Sequence, residues 1–95
     1  MYHHIVLFKL KTIDSEIKNE MKRMFLEMPS NMTFIREIKV GIDELHTKRS
    51  CDISLYVKFD NYDDYLNYND NPHHLKVKEY VATVNEASYT VDYSD

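Results

Sequence analysis

Apolar positions follow an alternating period in some segments of this chain and a helical period in others. Residues 2–10 predict a first strand, because apolar and β-branched residues occupy both of its alternating faces near the centre. Residues 15–28 then carry apolar side chains at helical spacing, with Asp14 as the expected N-cap and Pro29 as the expected end of the helix. The first strand is therefore expected to be covered on both sides.

The remaining chain predicts two further strands, two helices and a last strand. The strands cover residues 34–41 and 52–59, and the second is the clearest because apolar and polar residues alternate over its whole length. Asn61 is the expected N-cap of a short helix, and Pro72 opens another helix that continues to about residue 85. The last strand is expected over 87–93.

The order β-α-β-β-α-α-β over residues 1–95 predicts one domain of the ferredoxin-like α+β class. Its antiparallel four-stranded sheet would carry the helices on one face, with the first and third strands side by side in the centre. The other face would hold Ile5, Leu7 and Tyr56 with no helix over them. An uncovered apolar face usually marks an interface, so we predict a homodimer that packs two sheets face to face.

Charge and composition argue against several partners. Twelve Lys and Arg against sixteen Asp and Glu give a net charge of −4, which disfavours nucleic acid or an anionic membrane surface as the main partner. Cys51 has no second cysteine to pair with, and no apolar run approaches transmembrane length or resembles a secretory signal. We therefore expect a cytoplasmic protein with neither a nucleic-acid nor a membrane partner.

The histidines do not predict a metal site. His3 and His4 are neighbours on a strand and point to opposite faces, while His73 and His74 are neighbours on a helix and lack a partner at i+4. The chain has no Gly-rich phosphate loop, and its single Gly excludes the dinucleotide-binding fingerprint. We expect neither a metal nor another cofactor.

The segment from Tyr68 to His74 concentrates groups that can move protons, since a phenol and two imidazoles surround the helix start at Pro72. An imidazole can take a proton from a carbon next to a carbonyl, and a phenol can stabilise the resulting enolate oxygen. The alternative is structural. In that case the Tyr68 ring is part of the core with its hydroxyl in water, and His74 helps to cap the helix.

The helices also suggest where a pocket could lie. Met24 belongs to a methionine-rich stripe that is typical of a core face, but this stripe could also close one side of a pocket walled by Val6, Phe8 and Leu55. Val77 lies on the buried stripe of the last helix.

The two neighbouring histidines differ in their relation to that last stripe. At about 100° per residue, helical spacing places His73 nearer the middle of the stripe than His74. Spacing alone therefore slightly favours His73 as the residue that faces a pocket.

Several segments resemble one known family. Residues 4–10, 57–60 and 90–93 resemble the first, third and last strands of the stress-responsive dimeric A/B barrel (Dabb) domain. Between them, residues 68–74 resemble the family's Tyr-x-x-His-Pro-x-His junction, with Asn71 in place of the first His. The resemblance spans nearly the whole chain, and it implies a ferredoxin-like subunit that pairs into a dimeric α+β barrel.

The resemblance also implies a site. In a plant polyketide cyclase of this family, the Tyr and the second His of the junction act on an enolisable chain in a pocket between helices and sheet. These positions correspond to Tyr68 and His74, and His4 corresponds to a pocket-lining histidine. We therefore take Tyr68 and His74 as the catalytic candidates. The expected pocket lining is His4, Val6, Phe8, Leu55, Met24 and Val77.

Three functions are compatible with these patterns. The first is a homodimeric binder of a small, largely apolar molecule. The second is an acid–base enzyme that cyclises or isomerises a keto-containing substrate, and the third is a structural stress protein that acts through oligomerisation. A roomy pocket containing His4, Tyr68 and His74 would favour the first two, whereas a core filled by Phe8 and the methionines of the first helix would favour the third.

Overall fold

A four-stranded antiparallel sheet and three helices make up the protein, as seen in a computed structural model that describes residues 1–95. The elements in chain order are β1 (Tyr2–Leu10), α1 (Ser15–Asn31), β2 (Glu37–Ile42), β3 (Ile53–Phe59), α2 (Tyr62–Asp70), α3 (Pro72–Val84) and β4 (Asn85–Ser94). The strand order β2-β3-β1-β4 places β1 and β3 in the centre. The ferredoxin-like prediction is confirmed, as is its order of elements.

The helix-covered face of the sheet holds the core. Alternate residues of β3 are buried along its whole length, as its period-two pattern predicts. Residues from every layer meet there in one cluster. Its main members are Val6 and Phe8 of β1, Met21, Phe25 and Met28 of α1, Ile53, Leu55, Val57 and Phe59 of β3, Tyr68 of α2, and Val77 and Val81 of α3.

The opposite face of the sheet, which we call the open face, carries no helix and is apolar across its centre. Its apolar side chains are Ile5 and Leu7 of β1, Tyr56 of β3, and Tyr89, Val91 and Tyr93 of β4. Leu7 is 40% exposed and Val91 61% exposed. Tyr89 lies directly opposite Leu7 in the ladder, so the apolar surface continues from the central strand to the edge strand.

The end of α1 differs from the prediction, because the helix continues past Pro29 to Asn31. Pro29 lacks the N–H that would donate to the carbonyl four residues earlier, and its ring crowds that carbonyl, but the residues after it can remain helical. The turn still closes through the Met32 N–H, which donates to the Met28 carbonyl at 3.0 Å. Met32 is fully buried, and its packing holds this last turn against the core.

The second strand also differs, because β2 covers Glu37–Ile42 rather than 34–41. Phe34 precedes the ladder, and its ring stacks on that of Phe59 with centroids 6.4 Å apart. Gly41 lies inside the strand instead of ending it, at a point where a Cβ atom would meet the Ser54 hydroxyl oxygen at 2.9 Å. The apolar positions at the start of the predicted strand therefore reflect core packing rather than strand pairing.

Buried Asp52 ties the chain before β3 to the end of β1. Its carboxylate accepts a hydrogen bond from the Leu10 N–H at 2.8 Å, and its own N–H donates to the Phe8 carbonyl at 2.7 Å. These bonds hold the central strand pair in register where the ladder ends. None of the helices combines the length and apolar character required to cross a membrane.

Candidate functional site

A cavity of about 370 Å³ opens between the helix-covered face of the sheet and helices α2 and α3. Its apolar lining consists of Val6, Phe8, Phe25, Leu55, Val77, Val81 and Ala82. Its polar or amphipathic lining consists of His4, Tyr65, Tyr68, Asn69, His74, Lys78, Asn85, Ser88 and Thr90. A volume in the lower part of the range of small-molecule sites, roughly 300–1,000 Å³, suits a small ligand.

Most residues expected to line a pocket come together here. His4, Val6, Phe8, Leu55 and Val77 all line the cavity, together with both catalytic candidates. The structure does not place Met24 there. Met24 is half-buried against the core. Neighbouring residues on a helix point about 100° apart, so Met24 and Phe25 cannot both face the cavity. Phe25 is the residue of α1 that turns inward, and its ring stacks on that of Phe8 with centroids 5.4 Å apart.

A single residue between α2 and α3 sets the position of the two catalytic candidates. The Asn71 N–H donates to the Tyr68 carbonyl at the end of α2, at 3.2 Å, and the Asn71 side chain caps α3 by accepting from the His73 N–H at 2.9 Å. The junction thus brings the rings of Tyr68 and His74 to a centroid distance of 4.1 Å. His74 lines the cavity and His73 does not, in contrast to the preference from helical spacing.

The environment of His74 keeps its imidazole neutral. Burial lowers its pKa to about 4, the nearby ammonium of Lys78 acts in the same direction, and a hydrogen bond with the Asn69 carbonyl opposes them. The His74 Nδ1 lies 3.3 Å from that carbonyl oxygen, which can only accept, so Nδ1 carries the proton. Nε2 is therefore left as an acceptor. The bond also ties α3 to the end of α2, so His74 has a structural part as well.

Tyr68 is buried, with 1% of its surface exposed, and its hydroxyl has no hydrogen-bond partner in the protein. The hydroxyl does not reach solvent, whereas the structural alternative expected it to lie in water. The ring packs against Phe59 and His4 with centroid distances of 5.2 and 5.9 Å. Burial raises the pKa of the phenol, so the group remains a protonated donor. Buried polar groups are rarely left unpaired, which makes this donor a candidate for contact with a ligand.

His4 is paired with a residue that the sequence pattern did not single out. His4 and Asp92 are cross-strand partners on β1 and β4, and the His4 Nδ1 is hydrogen-bonded to the Asp92 carboxylate. The bond fixes the orientation of the imidazole beside the rings of Tyr65 and Tyr68. The alternation of β4 could have predicted this position, because it places Asp92 on the opposite face of the sheet from Tyr89 and Tyr93.

Two more residues of the site lie on α3 and just after it. Lys78 is one turn beyond His74, which is the spacing that places both on one side of a helix. Asn85 follows Val84 directly, since β4 begins where α3 ends, and its buried side-chain oxygen has no hydrogen-bond partner. No three His, Cys, Asp or Glu side chains of the chain are grouped so that they could hold a metal ion.

The fold and the cavity define a ferredoxin-like α+β protein with a pocket between its sheet and its helices. A family model described as "Stress responsive A/B Barrel Domain", abbreviated Dabb, matches residues 2–95. The chain therefore belongs to this family, and the resemblance seen in the sequence is confirmed. No match was found among curated proteins.

Several solved structures share this fold. A dimeric protein of unknown function from Bacteroides fragilis is 33% identical, with a TM-score of 0.80, and the match covers 99% of this chain and 95% of that one. A dimeric ferredoxin-like protein of unknown function from Thermobifida fusca is 18% identical, with a TM-score of 0.87 and coverage of 99% and 90%. The hydroxynitrile lyase of Passiflora edulis is 16% identical, with a TM-score of 0.85 and coverage of 97% and 90%.

Proposed function

We propose that this protein binds a small, largely apolar molecule in the cavity between its sheet and its helices. The observation that carries this proposal is the cavity of about 370 Å³ with its mainly apolar lining, beside which the buried Tyr68 hydroxyl has no partner in the protein. Leaving a buried hydroxyl unpaired costs about 1–3 kcal/mol, and a ligand acceptor would recover part of this cost. The apolar lining would supply most of the binding energy through burial of the ligand's carbon atoms.

The same proposal includes a homodimer formed through the open face. Ile5, Leu7 and Tyr56 are the central interface residues, and the exposed tyrosines of β4 extend the surface to the sheet edge. A contiguous apolar face of this kind favours burial against a second copy. The relative from Bacteroides fragilis, which is 33% identical, is described as dimeric, which supports this assembly.

Acid–base catalysis is a second candidate function, favoured by the placement of the proton-transfer groups. A neutral imidazole, His74, lies against a phenol, Tyr68, and a second imidazole, His4, is oriented by the Asp92 carboxylate. Such groups could remove a proton next to a carbonyl and stabilise the enolate. However, a pKa of about 4 makes His74 a weak base near neutral pH, which is why we rank binding first. A purely structural role accounts less well for the cavity.

Native mass spectrometry of the gently purified protein tests the binding proposal. We expect a dimer that carries a small organic molecule, which denaturing analysis then identifies. Ala82 lines the cavity and is exposed, so Ala82→Phe should fill the opening and abolish the bound mass without disturbing the core. Thr83→Phe, at the exposed neighbour that does not line the cavity, is the matched control. An empty dimer from every preparation, or a ligand that persists in Ala82→Phe, contradicts the proposal.

The catalytic candidate requires its own test once a ligand or substrate is identified. His74→Ala should abolish turnover while the protein remains dimeric, and Asp92→Asn should slow turnover because His4 loses its orienting carboxylate. Turnover that survives in His74→Ala removes the proton-transfer role of this residue and leaves the binding function in place.

A further inference from the structure

The cavity carries one fixed charge, and that charge is positive. Among all lining residues, Lys78 is the only Lys, Arg, Asp or Glu. Of the two lining histidines, His74 is neutral at neutral pH, and His4 is hydrogen-bonded to Asp92, a carboxylate outside the lining. A chain with a net charge of −4 thus places a lone cation at its cavity.

The Lys78 ammonium has no carboxylate partner within the chain. The protein's ion pairs involve other residues, such as Arg23 with Glu20 and Arg36 with Asp60. The exposed side chain of Lys78 can therefore turn toward a ligand at the cavity without breaking an ion pair. The polar residues His74, Asn85 and Thr90 belong to the same lining.

We propose that Lys78 makes the cavity selective for amphipathic anions, molecules with an apolar body and one acidic group such as a carboxylate. The apolar body lies against Val6, Phe8 and Leu55, and the acidic group lies at Lys78. This inference rests on the proposed binding function and names its ligand class. The acidic group is directed to Lys78 rather than toward the carboxylate of Asp92, because like charges repel.

A matched pair of fluorescent probes tests the selectivity. Anilinonaphthalene sulfonate and N-phenylnaphthylamine share one aromatic body, but only the first carries a negative charge. We expect Lys78→Gln to weaken binding of the anionic probe about fivefold, as expected for a partly exposed ion pair, and to change binding of the neutral probe less than about twofold. Lys76→Gln is the control, because Lys76 is exposed on the same helix and does not line the cavity.

Two further measurements separate a charge effect from a change in structure. Lys78→Arg should restore binding of the anionic probe, and added salt should weaken that binding in the wild type more than in Lys78→Gln. The pKa of His74, followed by NMR, should rise in Lys78→Gln and stay constant in Lys76→Gln, because Lys78 contributes to its depression. In Ala82→Phe the cavity opening is filled, so any probe that still binds this variant is bound elsewhere, for example on the open face.

The outcomes distinguish this inference from the function on which it rests. Equal loss of both probes in Lys78→Gln, or no loss of either, overturns the charge selectivity while cavity binding stands. Failure of both probes to bind the wild-type cavity overturns both the binding function and the selectivity. Selective loss of the anionic probe, with recovery in Lys78→Arg, supports the assignment.

Discussion

The buried hydroxyl of Tyr68 gives the sharpest stability prediction, because its removal should stabilise the protein. Tyr68→Phe keeps the ring that packs on Phe59 and His74 and deletes only the oxygen, which has no hydrogen-bond partner in the protein. A buried polar atom without a partner costs about 1–3 kcal/mol, so its deletion should raise the free energy of unfolding by about 1–2 kcal/mol. In a domain of this size, each kcal/mol raises Tm by about 4–8 °C.

The assay is urea unfolding followed by far-ultraviolet circular dichroism, at one protein concentration because a dimer's stability depends on concentration. Tyr62→Phe is the control, since Tyr62 lies on the same helix and is half exposed. Its unfolding free energy should change by less than about 0.5 kcal/mol. Both variants keep their rings, so the comparison isolates the buried hydroxyl.

Ligand binding should change in the opposite direction. Tyr68→Phe should weaken binding of the molecule found by mass spectrometry, because the ligand loses a donor, although the empty protein becomes more stable. If Tyr68→Phe instead lowers the free energy of unfolding by more than about 1 kcal/mol, the hydroxyl contributes a stabilising hydrogen bond in the empty protein. The reasoning that reserves this group for a ligand would then be refuted.

Three further predictions concern the interface, the pH dependence and the fold. Leu7→Asp should give monomers in light scattering, whereas Leu66→Asp, at a similarly exposed helix position, should stay dimeric. Burial lowers the pKa of His74 from its usual 6.5 to about 4, so the unfolded state binds the proton at a higher pH than the folded state does. The free energy of unfolding therefore falls between pH 6.5 and pH 4, and this fall should be less steep in His74→Gln. Asp52→Ala should lower the unfolding free energy by about 1–3 kcal/mol in urea titrations, because the Leu10 N–H loses its acceptor.

The local patterns of this sequence predicted most of the fold. The alternation over 52–59 predicted β3, and the expected caps Asp14 and Asn61 each accept a hydrogen bond from a backbone N–H at a helix start. Pro29 was wrong as the predicted end of α1, because it lies in the last turn and the helix continues for two residues beyond it. Such errors concern the ends of elements, where one hydrogen bond decides the boundary.

The site was less predictable, because its geometry depends on contacts between distant parts of the chain. His4 and Asp92 are 88 residues apart, and only the pairing of β1 with β4 brings them together. Helical spacing was too coarse to decide which of the neighbouring residues Met24 and Phe25 lines the cavity. It also preferred His73 over His74, because the turn after the Asn71 junction does not follow from an ideal helical wheel.

The direct passage from Val84 to Asn85 has a consequence for how fast a ligand can enter. Helix α3 passes directly into β4 at one end, and only Asn71 separates it from α2 at the other end. This helix, which forms one wall of the cavity, therefore has no free end that could move as a lid. Entry then depends on side-chain rotations, which take picoseconds to nanoseconds, rather than on loop closure over microseconds to milliseconds. Association should therefore be a single step whose observed rate rises linearly with ligand concentration.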